Sequence, residues 1–153
     1  MRKAEKEIKD NADIEQVLHR AEVCRIGLCR GNEPYVVPMN FGYQDRCLYL
    51  HSAKEGKKIE FIKANNKICF EVGVDYEVKE SENPCNWSMN FSSVIGLGKA
   101  YIIEDLEEKK KALDVIMGKY SCNNSFSYLD KAVEQIAIIK VKIEEITGKR
   151  SGI

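Results

Sequence analysis

Apolar and polar residues alternate over several short stretches of the chain, which is the period of a half-buried β-strand. The alternating stretches are residues 23–30, 35–43, 47–51, 67–74, 91–103 and 136–146. Pairs such as Gly31-Asn32 and Asn65-Asn66 break the pattern between stretches, as turn residues do. Because most of the connections are short, the pattern predicts about six strands that pair mainly in antiparallel fashion.

Apolar residues at helical spacing predict three or four helices between or after these strands. Asp105 with Glu108 forms a capping box for the longest helix, and residues 128–135 are predicted to form a short one. We expect Met117 of the longest helix and Leu129 of the short helix to lie in the core.

Two features predict that the sheet closes on itself. Gly96 and Gly98 share one face of the longest strand, which indicates a sharp bend or the close approach of another backbone. Pro38 removes a donor from its strand, so this strand lies at an edge, is bulged or is interrupted. The predicted fold is a mainly β, antiparallel barrel with helices packed outside, forming one domain over residues 1–153.

Residues 75–90 are polar and irregular, and we expect them to form a mobile loop or lid. Trp87 lies within this segment. Its side chain has three alternative roles: packing on a ligand, packing on a second subunit, or anchoring the loop to the core, which is slightly favoured.

The zero net charge and the shortness of the apolar runs argue against some classes of protein. Lys plus Arg and Asp plus Glu number 24 each, so the formal net charge is zero, which argues against a nucleic-acid-binding protein. No apolar run approaches the ~20 residues that cross a bilayer. The charged start Met1–Ile8 does not resemble a signal peptide, so we expect a cytoplasmic protein with no membrane partner.

The six cysteines include no C-x-x-C pair, so a metal site is not expected. Cys24, Cys29, Cys47 and Cys69 fall in strand patterns and are predicted to be small core residues. Free thiols are expected throughout.

The junction after the third strand is the strongest candidate for a binding site. Ser52 is placed to cap a helix that starts there, and Glu55 would complete a capping box. A helix start presents unpaired N–H groups and the positive end of the helix dipole, so it binds anions. Lys54, Lys57 and Lys58 add positive charge. We interpret this junction as a phosphate site; a helix whose lysines face water is an equally weighted alternative.

The strand that contains Pro38 is a second candidate. Free backbone groups of an interrupted strand can bond the N–H edges and carbonyls of a planar heterocycle. A hairpin strand with a purely structural bulge is at least as well supported by these residues.

Several stretches, taken in order, resemble one known family. The residues that carry the resemblance are Met1–Lys3 with Glu7-Ile8, Pro34–Tyr43, Leu48–Ala53, Glu55–Lys58, Lys67–Val72, Ser93–Ile95 with Gly98, and Ile146–Lys149. They are similar to the FMN-binding split barrels related to pyridoxamine 5'-phosphate oxidase, and within these to the nitroimidazole-resistance (Nim) proteins. The resemblance covers nearly the full length of the chain.

The resemblance implies an FMN cofactor, with FAD as the alternative, in a groove between the two subunits of a homodimer. The isoalloxazine ring would lie against Val36, Val37, Pro38, Met39 and Asn40. The phosphate and ribityl chain would be held by His51, Ser52, Ala53, Lys57 and Lys58, with Ser93 as a further polar contact. Trp87, Lys149 and Arg150 would approach the flavin of the other subunit.

Two departures limit what the resemblance implies. Lys57-Lys58 stands where oxidases of pyridoxamine phosphate have Arg-Lys, and no second basic motif is found for a substrate phosphate. Oxidation of vitamin B6 is therefore not expected. Residues 75–90 have no clear match, and this segment is a candidate for choosing the substrate.

The predicted function is a flavin-dependent oxidoreductase that reduces small electron-poor compounds such as nitroimidazoles. His51 is the ring base placed near the predicted flavin, and a hydrogen bond to the cofactor is favoured over proton donation to the substrate. The alternatives are a non-catalytic flavin-binding or flavin-sensing protein, and a barrel that uses deazaflavin or haem.

Overall fold

The computed structural model describes residues 4–123 and 125–152. In that part of the chain eight strands form one sheet: β1 (Glu7–Ile8), β2 (Cys24–Arg30), β3 (Glu33–Met39), β4 (Gly42–Gln44), β5 (Cys47–Ala53), β6 (Lys67–Lys79), β7 (Ser88–Ile103) and β8 (Ile136–Ser151). The α-helices there are α1 (Asn11–Arg20), α2 (Lys57–Ala64), α3 (Leu106–Tyr120) and α4 (Asp130–Glu134). The mainly antiparallel β architecture with flanking helices is confirmed, while the N-terminal motif Met1–Lys3 lies outside the described residues.

The sheet curls until its two edges meet. The strand order is β3-β2-β6-β7-β8-β5-β4, with β1 added beside β8. The two end strands, β3 and β4, follow one another in sequence and are linked only by Asn40 and Phe41. The chain itself therefore joins the two edges, and the sheet forms a barrel.

The barrel is open on one side of that link. β4 pairs with β5 from Gln44 opposite Cys47 to Gly42 opposite Tyr49. The same register carried further would set Asn40 opposite His51, but in the described residues β3 pairs with β2 and not with β5. We call this opening, between residues 36–40 and residues 51–53, the split.

The core fills the inside of the barrel. Its largest fully buried side chains include Phe41, Leu48, Leu50, Phe61 and Phe70. Burying a side chain of this size stabilises the fold by about 1.5–3 kcal/mol. Since Phe61 belongs to α2 and Phe41 to the link between β3 and β4, the core fixes both sides of the split.

The two glycines of β7 make the close approaches expected from the sequence. A Cβ at Gly96 would collide with the ring of Phe70, and one at Gly98 with the carbonyl of Lys142. The β7–β8 register shifts between Leu97 and Gly98. These contacts allow the sheet to bend tightly enough to close.

Helix α3 covers the outer face of β4 and β5. It begins as predicted, since the Glu108 N–H donates to the Asp105 carboxylate at 2.9 Å. Met117 is 37% exposed and Leu129 is 80% exposed, so the prediction that both are core residues is wrong. Leu129 precedes the first turn of α4, where it faces solvent.

No helix in the described ranges is long and apolar enough to cross a membrane.

The end of α3 closes one end of the split. The Tyr120 hydroxyl accepts a hydrogen bond from the Phe41 N–H at 3.0 Å and donates to the Glu22 carbonyl at 2.6 Å. Lys119 lies over the Phe41 ring at 3.9 Å and donates to the Leu18 carbonyl. The backbone N–H that the β3–β4 link leaves unpaired is thereby satisfied.

Residues 75–90 form a hairpin arm and not the irregular loop that we expected. β6 continues to Lys79 and β7 starts at Ser88, so the connection between them is short. A bulge between Val74 and Glu77 separates the arm from the barrel. Trp87 is half-exposed and donates from its indole to the Ser81 carbonyl at 2.7 Å. It anchors the tip of the arm to itself and not to the core.

The C-terminal end is also more regular than expected. β8, predicted to end at residue 146, runs through Thr147-Gly148 to Ser151 and pairs with β7 over this stretch. A Cβ at Gly148 would lie 2.8 Å from the Ile8 Cβ. Glycine is therefore required there by the close packing of β1.

Candidate functional site

β3 forms one side of the split. It carries two prolines, Pro34 and Pro38, which are four residues apart and therefore lie on the same face. Its register with β2 is unbroken from Glu33 to Met39, so the strand is an edge strand, as predicted, but is not interrupted at Pro38. Proline in an edge strand occupies positions whose N–H would point away from the ladder. Pro34 and Pro38 therefore imply that Val36, between them, directs its own N–H and carbonyl outward. The Val36 side chain is 65% exposed.

The end of β5 forms the other side of the split. His51 and Ala53 are exposed, whereas Ser52 is buried and faces the barrel interior. Ser52 is paired with Ala137 of β8 and so belongs to the strand. The prediction that Ser52 caps the next helix, with Glu55 completing a capping box, is therefore wrong, because ladder pairing with β8 extends β5 through Ala53.

The N-cap of α2 is Gly56, three residues after the strand ends. Its φ of 115° and ψ of 170° are accessible essentially only to glycine. No side chain caps this helix, so the N–H groups of its first turn are not satisfied by a cap. These groups and the helix dipole remain suited to an anion. We expected Lys54 to lie in the first turns of the helix together with Lys57 and Lys58. Instead, Lys54 precedes the helix.

Lys57 connects the start of α2 to β3. Its Nζ lies 2.7 Å from the Glu33 Oε1 and 5.1 Å from the centre of the Tyr35 ring. This bond with Lys57 lowers the pKa of Glu33. The two predicted parts of the site, the edge strand and the helix start, are thus in direct contact. Glu33 already partly neutralises Lys57, which the sequence did not indicate.

Lys58 is half-buried beside Lys57. Burial lowers its pKa, because an ammonium group loses hydration there. An anion near the start of α2 would offset that cost.

Ser93 and Lys149 lie next to each other but away from the split. They are cross-strand partners on β7 and β8. Ser93 lies three strands from β3 in the sheet, and Lys149 lies 11 residues along β8 from Ile138, the partner of His51, or roughly 36 Å at ~3.3 Å per residue. Within one copy of the chain, neither reaches the residues at the split.

Arg150 and Trp87 are also remote from the split. Arg150 donates to the Ser92 hydroxyl at 3.3 Å and to the Asp13 carboxylate at 3.4 Å. Trp87 lies at the tip of the hairpin arm. Residues 36–40 and His51 to Ala53 thus line the two sides of the split, and Lys57 contacts the start of β3 at Glu33 and Tyr35, while Ser93, Trp87, Lys149 and Arg150 form other surfaces.

A cavity that the sequence did not indicate lies between the end of α1, the start of β2 and β6. It has a volume of about 330 Å³, and its lining includes Arg20, Glu22, Val23, Arg25, Gly73 and Tyr76. Arg25 is the cross-strand partner of Pro38. We found no second basic motif in the sequence because these arginines come from α1 and β2 and meet only in the fold. The signal available was the position of Arg25 on the polar face of β2.

Other cavities lie away from the split. One of about 380 Å³ is apolar and is lined by residues of α3 and α4, including Leu113, Tyr128 and Val133. One of about 290 Å³ lies between α3 and the sheet near Tyr49 and Lys140. Within residues 4–123 and 125–152, no group of three or more His, Cys, Asp or Glu side chains could hold a metal ion.

A family model described as pyridoxamine 5'-phosphate oxidase matches residues 10–150 of this chain. The chain belongs to this family. Its antiparallel barrel is the split barrel of the pyridoxamine 5'-phosphate oxidase family.

Solved structures extend the comparison. A candidate 5-nitroimidazole antibiotic resistance protein from Bacteroides thetaiotaomicron is 41% identical, with a TM-score of 0.84, over 94% of this chain and 85% of that one. The flavocytochrome Anf3 from Azotobacter vinelandii is 20% identical, with a TM-score of 0.87, over 100% and 72% of the two chains. A FAD-binding protein from Mesorhizobium loti is 24% identical, with a TM-score of 0.67, over 94% and 96%. The last two likenesses show the fold alone.

A curated protein of Rhizobium meliloti that is uncharacterized is 25% identical over 65 residues. The match spans 42% of this chain and 42% of that protein.

The backbone at Gly56 gives a testable prediction. Gly56→Ala should lower the free energy of unfolding by about 1–3 kcal/mol, because alanine is strained at this φ and ψ. No atom lies within 4 Å of the added Cβ, so the loss would report backbone strain and not a clash. Urea denaturation measures the change.

Gly118→Ala in α3 is the matched control, since its added Cβ also meets nothing within 4 Å. It should raise stability by up to about 1 kcal/mol, because glycine disfavours a helix. Equal effects of the two substitutions would contradict the geometry assigned to Gly56.

Proposed function

We propose that this chain is a flavin-dependent oxidoreductase that reduces small electron-poor compounds such as nitroimidazoles. The observation that carries the proposal is the contact of Lys57 with Glu33 and Tyr35. It joins an uncapped helix start, suited to a phosphate, to an edge strand whose outward backbone groups suit a flat heterocycle. The 41% identity to a candidate nitroimidazole resistance protein supports the substrate class.

The residues at the split fit a flavin. The first turn of α2, with Lys57 and half-buried Lys58, would hold its phosphate through N–H groups and charge. The outward N–H of Val36 and the outward carbonyls of Pro34, Val36 and Pro38 offer one donor and several acceptors to a ring edge. One helix start suits a single phosphate, so we propose FMN, with FAD as the alternative.

A bound flavin supplies the redox chemistry, accepting electrons from a reductant and passing them to the substrate. The chain's own residues bind and orient it. His51 is exposed beside the split, where its ring is placed for a hydrogen bond to the cofactor. Proton donation to the substrate by His51 is the more demanding alternative.

We also propose that two copies of the chain form the complete site. Six large apolar side chains are exposed on the outer face of β6 and β7: Tyr76, Val78, Met89, Ile95, Leu97 and Tyr101. In the arm, Val78 is opposite Met89, and the Tyr76 hydroxyl lies over Gly73. Trp87, which precedes β7 at the tip of the arm, is 51% exposed. Ile95 and Leu97, 53% and 47% exposed, continue this surface onto the barrel.

An apolar surface of this extent is typical of a protein–protein contact. Ser93 and Lys149 lie on the same face, so a second copy seated there would receive them. This arrangement accounts for their distance from the split within one copy.

Two other functions use the same site. A non-catalytic flavin-binding or flavin-sensing protein needs the split and the phosphate site but no substrate. A haem cofactor is a further alternative, supported by the flavocytochrome of similar fold, and deazaflavin is another. The cytoplasmic location and the small-molecule substrate remain predictions.

The absorbance of the purified protein tests the function. Peaks of oxidised flavin are expected, bleached by NADH or NADPH without oxygen and restored by adding a nitroimidazole. A haem spectrum, or a colourless protein that takes up neither FMN nor FAD, would overturn the proposal. Flavin that neither nicotinamide reduces would favour the sensing alternative.

Lysine substitutions test the phosphate site. The Lys57→Ala, Lys58→Ala double variant should bind FMN at least about tenfold more weakly, because charge-assisted contacts are lost. Glu33→Gln should bind FMN more tightly, because Lys57 is released from its ion pair. Fluorescence titration with FMN measures both.

Lys63→Ala, in the last turn of the same helix, is the control and should leave FMN affinity unchanged. Unaltered affinity in the double variant would rule out the assignment of these lysines.

The reaction rate of the Cys69 thiol tests whether a second copy of the chain covers this face. Cys69 is exposed on the outer sheet face, next to Leu97 in the β6–β7 ladder, so our prediction that it is a core residue is wrong. In a dimer it should react slowly with iodoacetamide, whereas exposed Cys122 should react fast. Mass spectrometry of the labelled peptides measures both rates. Cys24 should stay unlabelled, because burial raises its pKa to about 12.

Leu97→Glu should give monomers, since it places a charge on the proposed interface. Leu129→Glu is the control at an apolar residue that is 80% exposed elsewhere. Equal labelling of Cys69 and Cys122 in a protein that sediments as a dimer would place the interface on another face.

A further inference from the structure

The cavity between α1, β2 and β6 reaches β3, the strand proposed to contact the cofactor ring, through Arg25. Arg25 lines the cavity and is directly opposite Pro38 in the β2–β3 ladder. Side chains at such opposed positions share a face and are about 5 Å apart. Gly73 is also in the lining. Because it has no side chain, the Tyr76 hydroxyl can lie where a Cβ at residue 73 would otherwise be. Tyr76 therefore forms one wall.

Each arginine of this cavity already has an acidic partner. Arg20 donates to both carboxylate oxygens of Asp75, and Arg25 donates from Nη1 to the Glu71 Oε2 at 3.0 Å. A guanidinium carries five N–H donors, so both arginines keep donors that these pairs do not use. The bond from Arg20 lowers the pKa of Asp75.

The lining therefore provides N–H donors without an excess of positive charge. The charges are balanced, since Arg20, Arg25 and the more distant Arg150 face three carboxylates: Glu22 in the lining and the partners Glu71 and Asp75. A phosphate or carboxylate ligand would place a further negative charge beside them, which is unfavourable. A nitro group has two acceptor oxygens and no net charge, so it matches this environment.

We propose that the cavity lined by Arg20, Arg25 and Tyr76 binds the nitro group of a neutral substrate and discriminates against anionic compounds of the same shape. The proposal rests on the function proposed above and adds the residues that choose the substrate. It also gives a physical reason to expect that a phosphorylated substrate binds poorly: the arginines are present but paired with carboxylates.

A matched pair of ligands tests the charge discrimination. 1-Methyl-5-nitroimidazole and 1-methylimidazole-5-carboxylate have nearly the same shape and differ by one negative charge. Calorimetric titration of the FMN-loaded protein should show binding of the nitro compound at least about tenfold tighter than that of the carboxylate. Equal affinities, or tighter binding of the carboxylate, would overturn the proposal.

Three variants test the assigned residues. Glu71→Gln and Asp75→Asn each release one guanidinium, and each should raise the affinity for the carboxylate about tenfold while changing that for the nitro compound much less. Arg25→Gln removes donors and should weaken binding of the nitro compound about tenfold. Glu144→Gln is the control, since it releases Lys99 from an exposed pair of 2.9 Å that does not line the cavity.

The outcomes separate this inference from the proposed function. Wild-type protein that fails to bind flavin contradicts the proposed function itself. Flavin that binds and is reoxidised by the nitro compound, with Glu71→Gln and Arg25→Gln behaving like Glu144→Gln, overturns the cavity assignment alone. Loss of FMN from Arg25→Gln would also overturn it, because Arg25 would then hold the cofactor.

Discussion

The unpaired edge of β3 is the constraint on which the site depends. A sheet whose end strands are linked by two residues would ordinarily continue its ladder across the link, and β4 with β5 already sets the register for doing so. Pro34 and Pro38 cannot donate to such a ladder, so β3 stays apart from β5. The opening that results leaves backbone groups of Val36 available in a molecule whose other strands are largely paired.

Two devices keep that opening from being filled or collapsing. At one end, the Tyr120 hydroxyl accepts a hydrogen bond from the Phe41 N–H, so this backbone group does not need a partner on the opposite strand. At the other end Lys57 holds the start of α2 against Glu33 and Tyr35. Ion pairs exposed to solvent contribute little to stability. The contact of Lys57 therefore matters more for where it sets the helix than for the energy it adds.

The parts of this fold that could be predicted are those set by local periodicity. Alternation gave the strands and their antiparallel pairing, and Gly96 with Gly98 marked the tight bend. The start of α2 could not be placed, because Ser52 and Glu55 satisfy a local capping pattern while pairing of Ser52 with Ala137 extends the strand. Cys69 was misassigned because alternation separates two faces without saying which is inside.

The candidate site divides in the same way. The edge strand and Lys57 were both predicted as parts of the site, since the strand and the junction each carry a local signal, and Lys57 contacts the strand at Glu33 and Tyr35. Arg20 and Arg25 form no motif in the sequence, because they belong to different elements that the fold brings beside Tyr76; the position of Arg25 on the polar face of β2 was the one local signal. Glu33 was missed as the partner of Lys57 for the same reason.

Strand β7 serves the barrel, the arm and the exposed apolar surface with one unbroken alternation of side chains. Adding or removing one residue before Ile95 would exchange its two faces, turning Val94 and Ser92 outward and the apolar surface into the core. A one-residue change of length within β7 would therefore need a bulge to absorb it, as the β6–β7 ladder has between Val74 and Glu77. Between Lys79 and Ser88, at the tip of the arm, no ladder fixes the number of residues.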